Sequence, residues 1–225
     1  MEMERRDLLE FERDLIDGGA VVVGIDEVGR GALAGPLLVG AATLRTCVDP
    51  PEGLDDSKRL SPVTRTSLVE PLREWVDEWS IGVVSAAEID EWGMRLALAV
   101  GATRALEGLR STPTHALVDG PFNLLSARLE FRGAVVSTCP PLRYEGMAAT
   151  MIVGGDARSA TIATAAVLAK VARDSIMVEL SGEFTEYGWE RNKGYGAPEH
   201  MEAIRRWGLC VHHRASWNLP EQALF

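Results

Sequence analysis

Four acids stand where the chain should change direction. Asp26 and Glu27 lie in GIDEVGRGALAG (24–35), Asp119 in LVDG and Asp156 in GGDARS. Carboxylates that converge from separate elements can fix two divalent cations about 4 Å apart, the arrangement that hydrolyses phosphodiesters. The first stretch has a competing reading, because Gly29-x-Gly31-x-x-Ala34 matches a dinucleotide fingerprint. That fingerprint needs its glycines to open a helix onto a pyrophosphate. Residues 34–40, AGPLLVG, make a poor helix, and two acids ahead of the loop would repel the ligand. The metal reading is therefore the better one, although each acid also has a structural explanation. Asp119-Gly120 is an ordinary turn pair, Asp156 suits a helix N-terminus, and Asp55-Asp56 read equally well as solvated loop acids. Neighbouring strand residues point to opposite faces, so Glu27 joins Asp26 only if the chain twists out of its sheet at the following glycines.

These acids need strands and helices to aim them. Ala20–Asp26 is a valine-rich apolar run that reads as a strand buried on both faces, and Leu37–Leu44 as its hairpin partner. Ser61-Pro62 opens a helix expected to run to about Trp79. A third strand, 80–86, and a long helix, 88–109, follow. Further strands are expected at 116–119, 134–138 and 149–153. Residues 159–180 are alanine-rich and apolar on several sides, the pattern of a buried helix, and a last helix spans about 198–207. The order implies an α/β fold, a mixed sheet with an antiparallel meander on one side. Leu8, Phe11 and Leu15 recur at helical spacing in a leader, residues 1–19. The leader precedes a main domain, 20–181, and a C-terminal helical region, 182–225.

At 225 residues and 46% hydrophobic, the chain can bury one substantial core. A net charge of −10 argues against a nucleic-acid partner until its placement is considered. Residues 1–17 hold seven acids and three arginines, and clustered acids that bind cations would reduce the charge further. Cys47, Cys139 and Cys210 form no paired motif, which fits a reducing compartment. No signal peptide or membrane-length apolar run is visible, so the expectation is a monomer in the cytoplasm with no membrane partner.

Six blocks occur in one order: GIDEVGRGALAG, LDDSKRLS (54–61), LVDGPF (117–122), GGDARSATIATAAVLAKVARD (154–174), NKGYGAPEH (192–200) and HRASW (213–217). In this the chain resembles the ribonuclease HII family, the type 2 ribonucleases H, over about residues 20–217. The resemblance implies a ribonuclease H-like fold, a five-stranded mixed sheet flanked by helices, with a C-terminal helical region. It implies an endonuclease that cuts the RNA strand of RNA–DNA hybrids and nicks 5′ of single ribonucleotides in duplex DNA, using Mg²⁺ or Mn²⁺ and leaving 3′-hydroxyl and 5′-phosphate ends. By motif match Asp26, Glu27, Asp119 and Asp156 are the catalytic, metal-holding acids. Gly29, Arg30 and Gly31 read the 2′-hydroxyl, Tyr195 packs at the RNA-to-DNA step, and Lys58, with Lys170 and Lys193 behind it, contacts phosphates.

Ala166, Ala197 and Trp217 depart from the usual serine, threonine and phenylalanine, and Ala166 forgoes a hydroxyl contact to the nucleic-acid backbone. Asp174 is a rival to Asp156. The two lie 18 residues apart, about 27 Å along a helix, so they cannot serve one site. Asp174 is expected to pair with Arg173 or a neighbouring base. A hybrid-binding module that does not cut would gain nothing from acids stacked opposite phosphates. An exonuclease or phosphatase on the same fold would not need the 29–31 loop. The leader precedes every block and reads as dispensable.

Overall fold

The computed structural model describes residues 7–125, 141–144 and 146–220. The strand expected at 134–138 lies outside these residues. Helix α1 (Glu10–Asp17) precedes β1 (Val22–Val28) and β2 (Leu37–Leu44). Then come α2 (Pro62–Trp75), β3 (Glu78–Val84), α3 (Ala86–Glu107), β4 (His115–Asp119) and β5 (Ala148–Ile152). A 3₁₀ turn at Gly155–Ala157 leads into α4 (Ala160–Glu183), and after a second such turn at Thr185–Tyr187, α5 (Trp189–Asn192) and α6 (Pro198–Trp207) are the last helices among the described residues.

The five strands form one sheet in the order β3-β2-β1-β4-β5. Strands β1, β2 and β3 pair antiparallel as a meander, while β4 and β5 run parallel to β1. This is the expected five-stranded mixed sheet. Side-chain alternation divides β1 between two cores. Val23 and Ile25 pack with Val118 and α3, whereas Val22 packs with Leu117 and Ile162 of α4. Gly24 and Gly40 let α4 lie directly on the sheet. A Cβ on Gly24 would stand 2.2 Å from the Thr161 carbonyl carbon, and one on Gly40 would stand 2.4 Å from the Ala165 oxygen.

Several boundaries differ from the sequence reading. Helix α2 ends at Trp75 rather than near Trp79, because Glu78 and Trp79 pair with Thr43 and Ala42 as the start of β3. Ladder hydrogen bonds and burial of Trp79 outweigh local helix propensity there. Helix α3 is broken at Gly93, whose φ of 73° leaves the helical region. Its N-terminus carries a reciprocal capping box between Ser85 and Glu88. Ala197, at the start of α6, supplies no side-chain cap, so the departure from threonine costs this helix a bond worth about 1 kcal/mol.

The leader is not a detachable tail. Glu12 is completely buried, and its Oε1 accepts from Ser159 Oγ at 2.6 Å, Thr161 N at 2.9 Å and Thr161 Oγ1 at 2.8 Å. The backbone N–H of Ala160 also donates to the Leu8 carbonyl at 2.7 Å. A carboxylate from α1 thus takes one orphan backbone donor of α4, Thr161 N, and orients the Ser159 hydroxyl that caps Ile162 N, and it sits on the positive dipole end of the helix. Apolar spacing identified this helix, but a buried capping acid carries no periodicity, so its role was invisible in the sequence. Glu12→Ala should cost about 1–3 kcal/mol by stranding these donors. Deleting residues 1–17 should lower the melting temperature further. Urea denaturation of both variants checks this, and an unchanged midpoint would return α1 to the status of a tail.

Candidate active site

The carboxyl ends of parallel strands form a crevice in open sheets, and ligands bind there. The β1–β4 register ends with Ile25 opposite Val118, so the next residues, Asp26 and Asp119, lie side by side. Both extend the alternation of Val22 and Leu117 and therefore face α4. Asp156 reaches the same face from the 3₁₀ turn ahead of α4, and it is only 3% exposed. Glu27 does not leave the sheet as the sequence reading required. It stays paired with Val39 and projects from the other face, where Arg30 Nη1 lies 3.5 Å from its Oε1 and the charge of Asp119 reaches it.

Electrostatics sets the character of this corner. Asp26 is 6% exposed, and burial, then the charges of Asp119, Glu27 and Asp156, push its carboxyl well above the usual range. Burial likewise raises Glu27, opposed by Arg30. Burial also raises Asp156, reinforced by a carboxyl–carboxyl contact with Asp56 and opposed by Lys58. Lys58 Nζ stands 3.3 Å from Asp156 Oδ2. Burial alone would lower this ammonium, yet Asp156, Asp26 and Asp56 overrule it and raise it. Asp56, read from sequence as a loop acid, thus belongs to the same acidic cluster. Its signal lay in the adjacent Ser57-Lys58, which the loop carries to the site. Arg65 braces that loop by donating to the Ser57 and Leu60 carbonyls, each at 2.7 Å.

The donor set is entirely carboxylate oxygen, with anions crowded beyond what one lysine balances, and it fits a hard divalent cation. Among the described residues, no three His, Cys, Asp or Glu side chains are already drawn together around one point. Asp119 Oδ1 accepts instead from Gly155 N at 2.7 Å, and Asp26 Oδ1 from Glu27 N at 2.8 Å.

The 29–36 loop is clasped by the C-terminal region. Gly194 O accepts from Leu33 N and Ala34 N, while Arg214 N donates to Leu33 O at 2.9 Å. Arg173, fully buried, donates to the carbonyls of Pro36, Ala34 and Lys193 at 2.9–3.1 Å. It therefore does not pair with Asp174, which bonds Lys170 at 2.7 Å, some turns along α4 from Asp156.

Tyr195 is half-buried beside α4, its ring 5.2 Å from the Arg173 guanidinium and 5.8 Å from Lys170 Nζ. Its carbonyl accepts from His200 Nδ1 at 2.8 Å. The tautomers follow from the partners. Cys210 N–H donates to His213 Nδ1, so the His213 proton lies on Nε2 and points at His200 Nε2, which also accepts from Trp189 Nε1. Both rings are neutral, in keeping with burial that lowers His200 and brings His213 to about 4. Lys193 Nζ donates to the Glu190 carbonyl. Ala166 is 3% exposed, which leaves little surface for the backbone contact expected there. A cavity of about 430 Å³ adjoins the loop, lined by Arg30, Arg95, Leu98 and the exposed Phe122.

The family model for ribonuclease HII matches residues 23–219. A ribonuclease HII of Geobacillus thermodenitrificans is 40% identical over 97% of this chain and 76% of its own length. The fold is similar to the ribonuclease H2 of Pyrococcus horikoshii (TM-score 0.63, 27% identity, 88% of this chain and 94% of that one). It is also similar to the ribonuclease HII of Archaeoglobus fulgidus, solved as a complex with PCNA (TM-score 0.67, 26% identity, 91% and 98%).

Carboxyls raised in the folded state bind protons more tightly there than in the unfolded chain. Their stabilising contribution is complete below the ordinary carboxylate range and is lost as pH rises through the raised values. Metal-free protein should therefore gain stability at neutral pH from Asp26→Asn, at about 2–4 °C per kcal/mol, with less gain near pH 5. Millimolar Mg²⁺ or Mn²⁺ should stabilise the wild type by binding linkage and the variant less. Melting curves with and without metal at both pH values check this. Identical metal responses would remove Asp26 from the site.

Proposed function

The chain belongs to the ribonuclease HII family of metal-dependent endonucleolytic hydrolases, and from that premise we propose that it cleaves the RNA strand of RNA–DNA hybrids and nicks duplex DNA on the 5′ side of a single embedded ribonucleotide. The observation that carries the reading is the set of carboxylates, Asp26 and Asp156 buried and Asp119 half-buried, gathered on one face at the strand ends with Glu27 alongside. Two divalent cations held by these four acids would neutralise the scissile phosphate, activate a water and stabilise the leaving 3′-oxygen. The chain's own groups bind and orient. Lys58, 77% exposed at its side chain and raised by its acidic neighbours, stays cationic at the crevice mouth and suits a phosphate contact. Arg30 and Arg95 offer positive charge along the neighbouring cavity, and Tyr195 offers a ring face beside the loop.

Ribonucleotide choice requires reading a 2′-hydroxyl, a task for backbone groups that approach closely. Gly29 and Gly31 differ in why they are glycines. At Gly29 φ is 88° and a Cβ would stand 2.2 Å from Arg173 Nε, so the fold itself demands glycine. At Gly31 a Cβ would meet nothing within 4 Å, so the fold itself leaves room for a side chain, and on this reading the room is for the substrate.

The decisive assay is Mg²⁺-dependent cleavage of a DNA duplex with one internal ribonucleotide, with product ends mapped. A nick 5′ of the ribonucleotide leaving a 3′-hydroxyl is expected, abolished by Asp119→Asn. No cleavage by the wild type at any Mg²⁺ or Mn²⁺ concentration would sink the reading. The glycines supply a second check. Gly29→Ala should lose more than about 1 kcal/mol of stability. Gly31→Ala should melt normally yet cut the ribonucleotide-containing duplex roughly tenfold more slowly, the effect of about 1.4 kcal/mol. Normal cleavage by Gly31→Ala would mean that the sugar is read elsewhere.

A further inference from the structure

Arg214 is the second fully buried arginine, and nothing above assigns it a task. Its Nη1 donates to the Arg30 carbonyl at 3.0 Å, and its Nη2 to the carbonyls of Gly29 at 2.7 Å and Gly35 at 3.2 Å. The Trp217 ring lies 5.1 Å from the guanidinium, and the buried Nε has no partner among the described residues. These bonds fix more than position. In a trans peptide the carbonyl of one residue and the N–H of the next point in opposite directions. With the Gly29 and Arg30 carbonyls turned inward, the N–H groups of Arg30 and Gly31 point away from Arg214. Both residues are exposed, and neither N–H has a partner among the described residues.

The sequence does not guarantee that orientation. Gly29 to Ala32 form a turn closed by Ala32 N–H on the Gly29 carbonyl at 3.2 Å, which puts Gly31 third of four. Glycine at that place favours a type II turn, in which the central peptide is flipped and the third residue takes positive φ. Gly31 does not adopt positive φ. The bond from Arg214 to the Arg30 carbonyl is therefore the contact that selects this sense of the peptide over the one its glycine favours.

We propose that Arg214 is a positioning residue for ribonucleotide recognition: it holds the Gly29 and Arg30 carbonyls inward so that the N–H groups of Arg30 and Gly31 face the substrate as paired donors for the ribose 2′-oxygen. The proposal rests on the reading of this loop given above. It also accounts for a cation buried among carbonyls with no carboxylate in contact among the described residues. An acid beside it would compete with those carbonyls for the guanidinium and release the peptides to flip.

The test uses the full-length chain in an Asp119→Asn background, which keeps the duplex uncut in Mg²⁺. Dissociation constants are measured for matched duplexes with and without one ribonucleotide, and their ratio is the readout. Arg214→Met should reduce the ribonucleotide preference about tenfold, equivalent to ~1.4 kcal/mol, while leaving all-DNA binding unchanged. Arg214→Lys, which keeps one cationic donor, should retain part of the preference, and it serves if the methionine variant does not fold. Leu72→Ala, a core change on α2, sets the effect of lost stability alone and should leave the ratio intact. An unchanged ratio in both Arg214 variants, or an equal loss in Leu72→Ala, overturns the proposal. If the Asp119→Asn parent shows no preference, the reading of the loop fails, and the role of Arg214 fails with it.

Discussion

The contact on which the rest of this molecule hangs is that of α4 with the middle of the sheet. Bare glycine backbone at Gly24 and Gly40 lets the helix settle against β1 and β2 closer than any side chain would permit. Three consequences follow from that one approach. The turn ahead of α4 brings Asp156 down to the level of Asp26 and Asp119. The start of the helix meets the carboxylate of Glu12. More than three turns beyond, Arg173 enters the cleft between the loop and the C-terminal region and ties them through three carbonyls. A methyl group at Gly24 would lift the helix and disturb all three.

Charge is distributed unusually around that axis. Anions are crowded at the strand ends, where burial and mutual repulsion oppose ionisation. Cations are sunk beneath the neighbouring loop, where burial brings Arg214 down to about 10. Each population is unfavourable alone and gains little from the other, since carbonyl dipoles rather than the acids receive the guanidiniums. Such arrangements store cost that a ligand of opposite charge would relieve, cations at the acids on the reading proposed above. A chain of net charge −10 is thus no obstacle to nucleic acid. The charge that matters is local.

Much of this was legible in the sequence, and the exceptions share a cause. The strands and helices that position the acids announce themselves by apolar runs, by Ser-Pro at the start of α2 and by glycines after β1. The acids themselves were visible as residues at element ends. Not legible were Glu12, Asp56, Arg173 and Arg214, because their work depends on partners far away in the chain. Arg214 acts on residues 184 and 185 positions earlier. The place of Glu27 was misjudged for a related reason. Alternation predicts opposite faces correctly, but it says nothing of how near a strand's end both faces come to one corner. Motif order supplied the family, and geometry supplied the reasons for its residues.

The clasp between Glu12 and the start of α4 also bears on how the chain reaches its native state. Its partners are 147 and 149 residues apart, and β1, at the centre of the sheet, must wait for β4 before its second edge is paired. Bringing such distant segments together costs loop-closure entropy before any bond repays it. During synthesis the first helix and the β1–β3 meander emerge with their apolar α4-facing side uncovered. That side is closed only when the last third of the protein has left the ribosome. The meander cannot bury that face by itself, so its cover depends on a helix that begins more than a hundred residues after β2.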